Sequence, residues 1–483
     1  MPGIAFNTTE VFIDAVWKIS NILYLHFGDS RQLLHMKRIY EILVVSIIFV
    51  IVCFIYKSQQ RITLHDGKAW DGVYYYSMVE QIQQGASPVV GDLPFIKRLG
   101  TPFLIAYFSK FTGKNILDSA LYVNLAGSFL TVILLLLWLG FFVKQSWIKI
   151  LLCFLFMMVW YVLIRYSFYC PLASDAWGAP WFVGGLLLLE SIRKSNTNNK
   201  NAAFAGYMIA YSLVIAVGNF FRESNAVLCL LPFFVFNPLN NIHISPGNMK
   251  ISDGMRFLKK TWQLYFVPRA VLLFIPVLCI ALTNSFINKH IVVNDPKAYS
   301  YLLTVIAWVY TKSLPEYLLG ICIAYGPLIL LVIFFYKEYK ALLWERQELF
   351  FLLGLSLLLG FIGGSDTERI MFMSGFPIIL LLIGISIKTI FDSPQRWWLY
   401  VLFVLQAISF RFFWNLPDVT PEKLHTPLPV FGLMSSHFPL LNLYSHFGDY
   451  KVNAILLAEY IGLFLATWYV LHHKVVLRKS VAE

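Results

Sequence analysis

The sequence predicts an all-α polytopic membrane protein with about twelve transmembrane helices. Two observations lead to this prediction: 58% of the 483 residues are hydrophobic while 13% are charged, and apolar runs recur along the whole chain. A soluble domain carries about a quarter charged residues, which cover its water-facing surface. A chain this apolar requires lipid as its solvent, so residues 1–483 are predicted to form a single transmembrane domain.

Each predicted span is an apolar run close to the length of about 20 residues that a helix needs to cross a bilayer. The runs are 39–57, 114–143, 147–165, 178–192, 202–220, 225–237, 268–287, 316–336, 347–363, 370–390, 397–413 and 453–472. The segment 101–112 is either a re-entrant or surface helix or part of the second span. The six cysteines show no spacing typical of a disulfide framework or a zinc site.

The basic residues predict the orientation of these spans. If the N-terminus is cytoplasmic, Lys37 and Arg38 flank the first span on the inside and every second loop is basic, as cytoplasmic loops are. These loops carry Lys144, Lys149, Arg193, Lys194, Lys200, Lys250, Arg256, Lys259, Lys260, Lys337, Lys340, Arg346, Lys388 and Arg396, and the C-terminus carries Lys474, Arg478 and Lys479. Both termini are therefore predicted to be cytoplasmic. The net charge of +12 is assigned to contact with anionic lipid, and nucleic acid is excluded as a partner.

Ionisable residues collect on the opposite, outer face. The first outer loop, 58–100, is long, and a second long outer loop is predicted at 414–452. The outer carboxylates are Asp66, Asp71, Asp92, Asp175, Glu223, Asp366 and Glu368, and the outer arginines are Arg98, Arg222 and Arg369. Any one of them could be a solvated loop residue, but their density in short loops indicates a site.

The first outer loop contains a predicted amphipathic helix. Asp71-Gly72 is a turn signal, after which Tyr75, Met78, Val79 and Ile82 repeat at helical spacing. Such a helix is typical of the membrane interface. The position of Asp71 before this helix fits an N-cap and a catalytic base equally well.

The same loop resembles that of polytopic bacterial proteins in the GT-C glycosyltransferase superfamily. The resemblance rests on an aromatic-Asp-Gly-x-x-Tyr-Tyr pattern at Trp70–Tyr75, on Asp92-Leu93-Pro94, and on Arg98 before a helix that contains Pro102. The GT-C plan, with a long first outer loop and many following spans, is similar to most of the chain. The resemblance implies a GT-C-like fold in a bacterial inner membrane, with the active site facing the periplasm.

The resemblance also implies a chemistry. The donor would be a sugar on a polyprenyl phosphate, and the acceptor a glycan or lipid-linked hydroxyl, as in the biosynthesis of cell-envelope polysaccharides. A carboxylate would act as general base, arginines would stabilise the lipid phosphate that leaves, and the sugar would be inverted. We predict Asp71 as the base, with Asp66 as its rival. The predicted substrate-binding residues are Asp92, Arg98, Tyr75, Arg222, Glu223, Asp366 and Arg369.

Structural roles for several of these residues stay open. Arg98 also fits an interfacial anchor, Arg222-Glu223 an ion pair at a helix boundary, and Asp366–Arg369 a structural hairpin. No cofactor is predicted, and no metal site is indicated, although some GT-C enzymes use a divalent metal. The alternatives to the transferase are a polymerase or ligase of lipid-linked glycans, favoured by the late outer loop, and a lipid or sugar flippase. A flippase would place charges mid-membrane and matched helix breaks in two halves, and neither is evident.

Overall fold

The computed structural model describes residues 30–159, 161, 163–197, 201–235, 271–295, 301–363, 367–412, 415–416 and 454–476. The α-helices of these ranges are α1 Ser30–Tyr56, α2 Gly72–Gln83, α3 Gly100–Thr112, α4 Ile116–Leu139, α5 Ser146–Met157, α6 Leu163–Tyr169, α7 Asp175–Thr197, α8 Asn201–Phe221, α9 Leu231–Val235, α10 Ile275–His290, α11 Tyr301–Thr311, α12 Leu314–Tyr325, α13 Ile329–Phe334, α14 Tyr336–Glu345, α15 Gln347–Ile362, α16 Thr367–Phe391, α17 Trp398–Ser409 and α18 Ala454–Tyr469. Two 3₁₀ helices cover Phe95–Lys97 and Glu223–Leu230, a π-helix covers Val470–Val476, and two short strands are β1 Val89–Gly91 and β2 Ile291–Val293.

The helices indicate a membrane protein. In the part of the chain described, four are long and apolar enough to cross a bilayer, judged by length and composition: Met36–Tyr56, Ile116–Leu139, Ala202–Phe221 and Thr367–Phe391. On α1, the exposed residues Leu43, Ile47, Val50 and Phe54 form one apolar stripe at helical spacing. A stripe of this kind is suited to lipid and not to water. The count of about twelve spans stays a prediction.

Two of the predicted runs are interrupted at a residue with a left-handed backbone, and a third, 225–237, changes from 3₁₀ helix to α-helix at Leu231. The run 147–165 is divided between α5, which ends at Met157, and α6, which begins at Leu163. Leu163 has a φ of +63°, a left-handed conformation that a continuous helix does not contain. The run 316–336 is likewise divided after Tyr325, where Gly326 with φ +65° is followed by Pro327. Hydropathy alone does not reveal such breaks, because apolar side chains continue across them.

The centre of the bundle is built on α16 and α7. About 89% of the apolar window of α16 is buried, and this helix packs against α5, α7, α12 and α15. Helix α7 packs against α4 and α8 as well. Both α7 and α16 begin at residues that the orientation analysis places on the outer face. Their first turns therefore bring Asp175 and Arg369 to the same end of the bundle.

Residues 58–100, the predicted first outer loop, pack as a small unit against α4 near this end. Tyr75, Met78 and Val79 of α2 are buried in a hydrophobic cluster with residues of β1, α3 and α4. In this unit β1 pairs in parallel with β2, with Val89 opposite Ile291. The apolar face that the spacing predicts for α2 is therefore covered by protein, mainly α3, in place of lipid. Packing against α3 buries that face more completely than a lipid interface would.

Candidate functional site

Five charged side chains from distant parts of the chain meet at the N-terminal end of α7, which the sequence predicts to be on the outer face. We call them the arginine–carboxylate cluster, and its members are Arg98, Arg222, Arg369, Asp175 and Glu223. Four of them are predicted site residues, and Asp175 was recognised as an outer carboxylate without being assigned to the site. Five charges on one partly buried patch are costly unless each has a partner, and here each has one.

Asp175 is the centre of the cluster because it bridges two arginines. Its Oδ1 lies 2.6 Å from Nη1 of Arg222, and its Oδ2 lies 2.6 Å from Nη2 of Arg369. Nε of Arg369 also donates to Oδ2, at 3.2 Å. Asp175 is 1% exposed. Burial disfavours its charged form, but the two arginines outweigh burial and hold the pKa of Asp175 well below its usual range. It is therefore suited to positioning the arginines and not to accepting a proton.

A second ion pair joins the first outer loop to the cluster. Nε and Nη2 of Arg98 donate to the two carboxylate oxygens of Glu223, at 2.8 and 2.5 Å, in the bidentate geometry that favours Arg–carboxylate pairs. Nη1 of Arg98 donates to the hydroxyl of Tyr75 at 3.0 Å, and Ser174 Oγ donates to the same hydroxyl at 3.1 Å. Arg222 also contacts Ser174, at 3.4 Å. Tyr75 and Ser174 thus connect the two ion pairs.

Helix ends place these charges. Asp175 occupies the first turn of α7, where the positive end of the helix dipole favours an anion. Arg222 directly follows Phe221, the last residue of α8, where the negative end favours a cation. Asp175 and Arg222 both lie outside the predicted apolar runs, so neither charge interrupts a run in the hydropathy analysis.

Two glycines allow the close approach that the site requires. A Cβ on Gly178 would lie 2.9 Å from Cβ of Arg222 and 3.0 Å from Cε of Met373, so only glycine lets α7 approach Arg222 and α16 together. A Cβ on Gly72 would lie 3.0 Å from Cβ of Leu172. The Gly of the Asp71-Gly72 pair therefore lets α2 begin against the segment that leads to Asp175.

Asp71 precedes α2, the helix that carries Tyr75. It takes the N-cap position of α2, but its side chain makes no capping hydrogen bond, so the N-cap reading does not explain its carboxylate. The carboxylates of Asp71 and Asp175 and the guanidinium of Arg369 all act electrostatically on Cys170, whose pKa burial raises to about 12. Asp71 also lies one helical turn before Tyr75, a spacing at which side chains are neighbours. Both carboxylates are therefore within electrostatic range of Cys170, and Asp71 lies one helical turn from Tyr75.

The structure separates two of the other predicted residues from the cluster. Asp66 is exposed in a turn, where its φ is +57° and its neighbour His65 has a φ of +51°. Asp92 follows β1, and its Oδ1 accepts a hydrogen bond from Asn294 Nδ2 at 3.0 Å, next to β2. This contact stabilises the two-stranded sheet, because Asn294 N also donates to Gly91 O. The prediction on Asp366 and that on the late outer loop, apart from residues 415–416, lie outside the described residues.

Two residues of the site escaped the sequence analysis. Ser174 carries no charge and lies in no recognisable motif. Tyr166 lies under Arg369, whose guanidinium is 5.6 Å from the tyrosine ring centroid. Tyr166 belongs to α6, a helix that the continuous run 147–165 concealed. A helix-breaking pattern within that run would have been the signal for a separate helix that contains Tyr166.

Acid is expected to weaken the cluster. Burial raises the pKa of Glu223, but Arg98 and Arg222 outweigh it and the pKa is lowered to about 2 from 4.5. A lowered carboxylate pKa contributes stability above the unfolded-state value, and this contribution is lost as the pH falls through the folded-state value. Thermal unfolding of the purified protein is therefore expected at lower temperature as the pH falls from about 4.5 towards 2.

The control for this pH dependence is Glu223→Gln, which removes one titrating carboxylate and leaves Asp175 in place. Its unfolding temperature should start lower at pH 7 and fall less steeply with acid than that of the unmodified protein. Equal slopes for the two proteins would show that Glu223 does not contribute to the acid sensitivity.

No family model matches the chain, and no curated protein matches it. Among solved structures, the chain is similar to the oligosaccharyltransferase of Archaeoglobus fulgidus in the apo form, at 12% identity and a TM-score of 0.47, over 91% of this chain and 59% of that one. It is also similar to the archaeal oligosaccharyltransferase AglB from Archaeoglobus fulgidus in complex with an inhibitory peptide and a dolichol-phosphate, at 12% identity and a TM-score of 0.47, over 76% of this chain and 55% of that one. The chain matches little more than half the length of these proteins. The proposals below rest on its own residues.

Within the described residues, no group of three or more His, Cys, Asp or Glu side chains is arranged to hold a metal ion. The polar chemistry described for this end of the bundle is that of guanidinium, carboxylate and hydroxyl groups. Guanidinium groups bind phosphate oxygens, and a carboxylate accepts a proton from a hydroxyl.

Proposed function

We propose that this chain is a membrane glycosyltransferase that moves a sugar from a polyprenyl-phosphate donor to a hydroxyl of a glycan or lipid-linked acceptor on the outer face. The observation that supports this proposal is the arginine–carboxylate cluster at one end of a bundle of apolar helices, where Arg98 contacts Tyr75, one helical turn after Asp71. A lipid phosphate is held at that depth by its own apolar tail. Three arginines in one patch then offer an anion the donors that it requires.

In the proposed reaction, the acceptor oxygen attacks the anomeric carbon while the bond from that carbon to the donor phosphate oxygen breaks. Asp71 takes the proton of the acceptor hydroxyl, and the bonding electrons leave with the lipid phosphate. Attack opposite the leaving group inverts the anomeric carbon. The leaving phosphate needs no proton if cations stabilise its charge.

The arginines would supply this stabilisation in different ways. Arg98 uses three of its five N–H donors on Glu223 and Tyr75 among the described residues, and its side chain is 11% exposed. Asp175 bridges Arg222 and Arg369 and fixes where their charges lie. Charges fixed before the donor arrives need no reorganisation during the reaction, which is the condition for strong electrostatic catalysis.

The proposal is tested by incubating the purified protein, in detergent or nanodiscs, with a panel of polyprenyl-phosphate sugars and acceptors. Release of lipid phosphate together with a glycosylated acceptor is the expected result. A folded protein that turns over no donor would contradict the transferase and favour a polymerase, a ligase or a flippase.

Removal of one donor-binding arginine is expected to weaken binding of the lipid donor more than binding of the acceptor. In Arg369→Ala the apparent KM for the donor should rise by about tenfold or more, since a charge-assisted hydrogen bond contributes about 1.5–3 kcal/mol. The KM for the acceptor should change little. Initial rates at varied donor and varied acceptor concentrations separate the two constants.

Arg346→Ala is the matched control. Arg346 pairs with Glu190 at the other end of α7, with Nη1 and Oε2 2.7 Å apart, and its side chain is 20% exposed, against 9% for Arg369. The control should therefore lose similar stability and keep both KM values. Equal changes in donor KM for the two variants would show that the effect is structural and would remove Arg369 from donor binding.

A further inference from the structure

A cavity of about 570 Å³ opens at the opposite end of the bundle from the arginine–carboxylate cluster. Its lining comes from the start of α1, the end of α4, the turn before α5 and the second half of α7. Along α7, Ser191 in this cavity is 16 residues from Asp175, which corresponds to about 24 Å. Lys37, Arg38, Lys144 and Lys149, which are among the basic residues that predict the cytoplasmic face, lie at this end.

The cavity is strongly cationic. Lys37, Arg38, Lys144 and Lys149 line it, with Glu41 as the carboxylate among its lining residues. Glu41 is 3% exposed, and its charge is neutralised by Lys149, whose Nζ lies 2.5 Å from its Oε2; Ser146 Oγ donates a hydrogen bond to its Oε1. Three positive charges therefore remain at the mouth, on the exposed side chains of Lys37, Arg38 and Lys144.

The fold holds two of these residues together. Nζ of Lys37 donates to the backbone carbonyl of Lys144 at 2.9 Å, which fixes the start of α1 against the turn between α4 and α5. Cations gathered at one cavity repel each other, and an anion bound there reduces this repulsion. The other walls are apolar and include Leu136, Leu137 and Leu187.

We propose that this cavity binds the phosphate headgroup of an anionic phospholipid from the surrounding leaflet. The volume lies within the range of small-molecule sites, about 300–1,000 Å³. The three cations match a phosphate, and the leucine walls match the first carbons of the acyl chains. A position at the end of the apolar spans is where lipid headgroups lie, and basic pockets between helices on the cytoplasmic side are suited to them.

The test measures binding of phosphatidylglycerol and phosphatidylcholine by native mass spectrometry of the purified full chain. The pocket variant carries Lys37→Gln, Arg38→Gln and Lys144→Gln. The control variant carries Lys194→Gln, Lys337→Gln and Lys340→Gln, which remove the same charge from residues outside the cavity lining. We expect the unmodified protein to prefer phosphatidylglycerol, with a loss of about fivefold per charge, on the order of a hundredfold in total, in the pocket variant.

Three outcomes decide the proposal. A loss in the pocket variant with near-normal binding in the control variant supports it. An equal loss in both variants would show a general effect of surface charge and overturn it. Inorganic phosphate that binds as tightly as phosphatidylglycerol would assign the cavity to a free anion and overturn the lipid.

A milder variant keeps the test decisive if the triple variant does not fold. Lys144→Gln alone leaves the backbone carbonyl that Lys37 contacts, because only the side chain changes. It should fold normally and lose about fivefold in affinity for phosphatidylglycerol. Unchanged affinity in this folded variant would contradict the proposal. None of these measurements depends on glycosyl transfer.

Discussion

Asp71→Asn is expected to lower kcat for sugar transfer by about a hundredfold to ten-thousandfold, the range that a general base contributes. Asparagine has nearly the same size as aspartate but cannot accept the acceptor proton. The Asp71 side chain makes no capping hydrogen bond to α2, so loss of its charge should cost this helix about 1 kcal/mol or less through the helix dipole. Asparagine also keeps one acceptor oxygen, and thermal stability and expression should remain near those of the unmodified protein. Loss of activity in a folded protein is the combination that distinguishes a base from a structural residue.

The rate of lipid-phosphate release measures this effect, with donor and acceptor both saturating. Asp66→Asn tests the rival base: Asp66 is exposed in a left-handed turn, which asparagine tolerates, so this variant should retain activity. Asp392→Asn, at an exposed site after α16, controls for the loss of any one negative charge. Full activity of Asp71→Asn would remove Asp71 from the mechanism, and a selective loss in Asp66→Asn would transfer the role to Asp66.

The sequence was sufficient to predict which residues share an end of the bundle. Alternation of basic loops assigns Asp71, Arg98, Arg222, Glu223 and Arg369 to one face. The structure brings the three arginines and Glu223 together with Asp175, at the N-terminal ends of α7 and α16 and the C-terminal end of α8. This works because a helix that spans a bilayer fixes the face on which each of its ends lies. Tyr75 was predicted as a site residue because it belongs to the pattern at Trp70–Tyr75, and it contacts Arg98 in the structure.

The sequence was not sufficient to predict which charges pair. Asp175 and Arg369 are separated by 194 positions, and no local pattern relates them. Arg222 and Glu223 are adjacent in sequence and were considered as partners of each other, yet each pairs with a different chain segment. Adjacent residues project in different directions, so the nearest opposite charge in sequence is often not the nearest in space.

The ends of α7 show why the length of this helix was underestimated. The apolar run 178–192 is part of a longer helix, Asp175–Thr197, whose second half carries Glu190 and Arg193. Glu190 pairs with Arg346, and Arg193 pairs with Glu348, which is fully buried. Charges matched across helices are tolerated near an apolar segment. A hydropathy analysis ends the run before Arg193, because it contains no information about the partner of a charged residue.

Asp175→Asn is expected to destabilise the protein by about 3–5 kcal/mol, the cost of removing one partner from a buried ion pair. The reason is that Arg222 and Arg369, with side chains 12% and 9% exposed, would lose the carboxylate that each contacts at 2.6 Å. Chemical unfolding in detergent measures the free energy. The loss should exceed that of Glu223→Gln, because Glu223 is more exposed and pairs with one arginine through its carboxylate.

A double-mutant cycle separates this charge effect from a packing effect. Asp175→Asn leaves two arginines without their carboxylate, and Arg369→Gln removes one of these arginines. The double variant should therefore be destabilised by less than the sum of the two single variants. The same cycle on Glu190 and Arg346 gives the coupling energy of an ion pair outside the site. Glu190 belongs to α7, as Asp175 does. If the Asp175 and Arg369 effects were additive, the carboxylate would not be what holds this arginine. The proposed positioning role of Asp175 would then be wrong, whatever the activity of the variants.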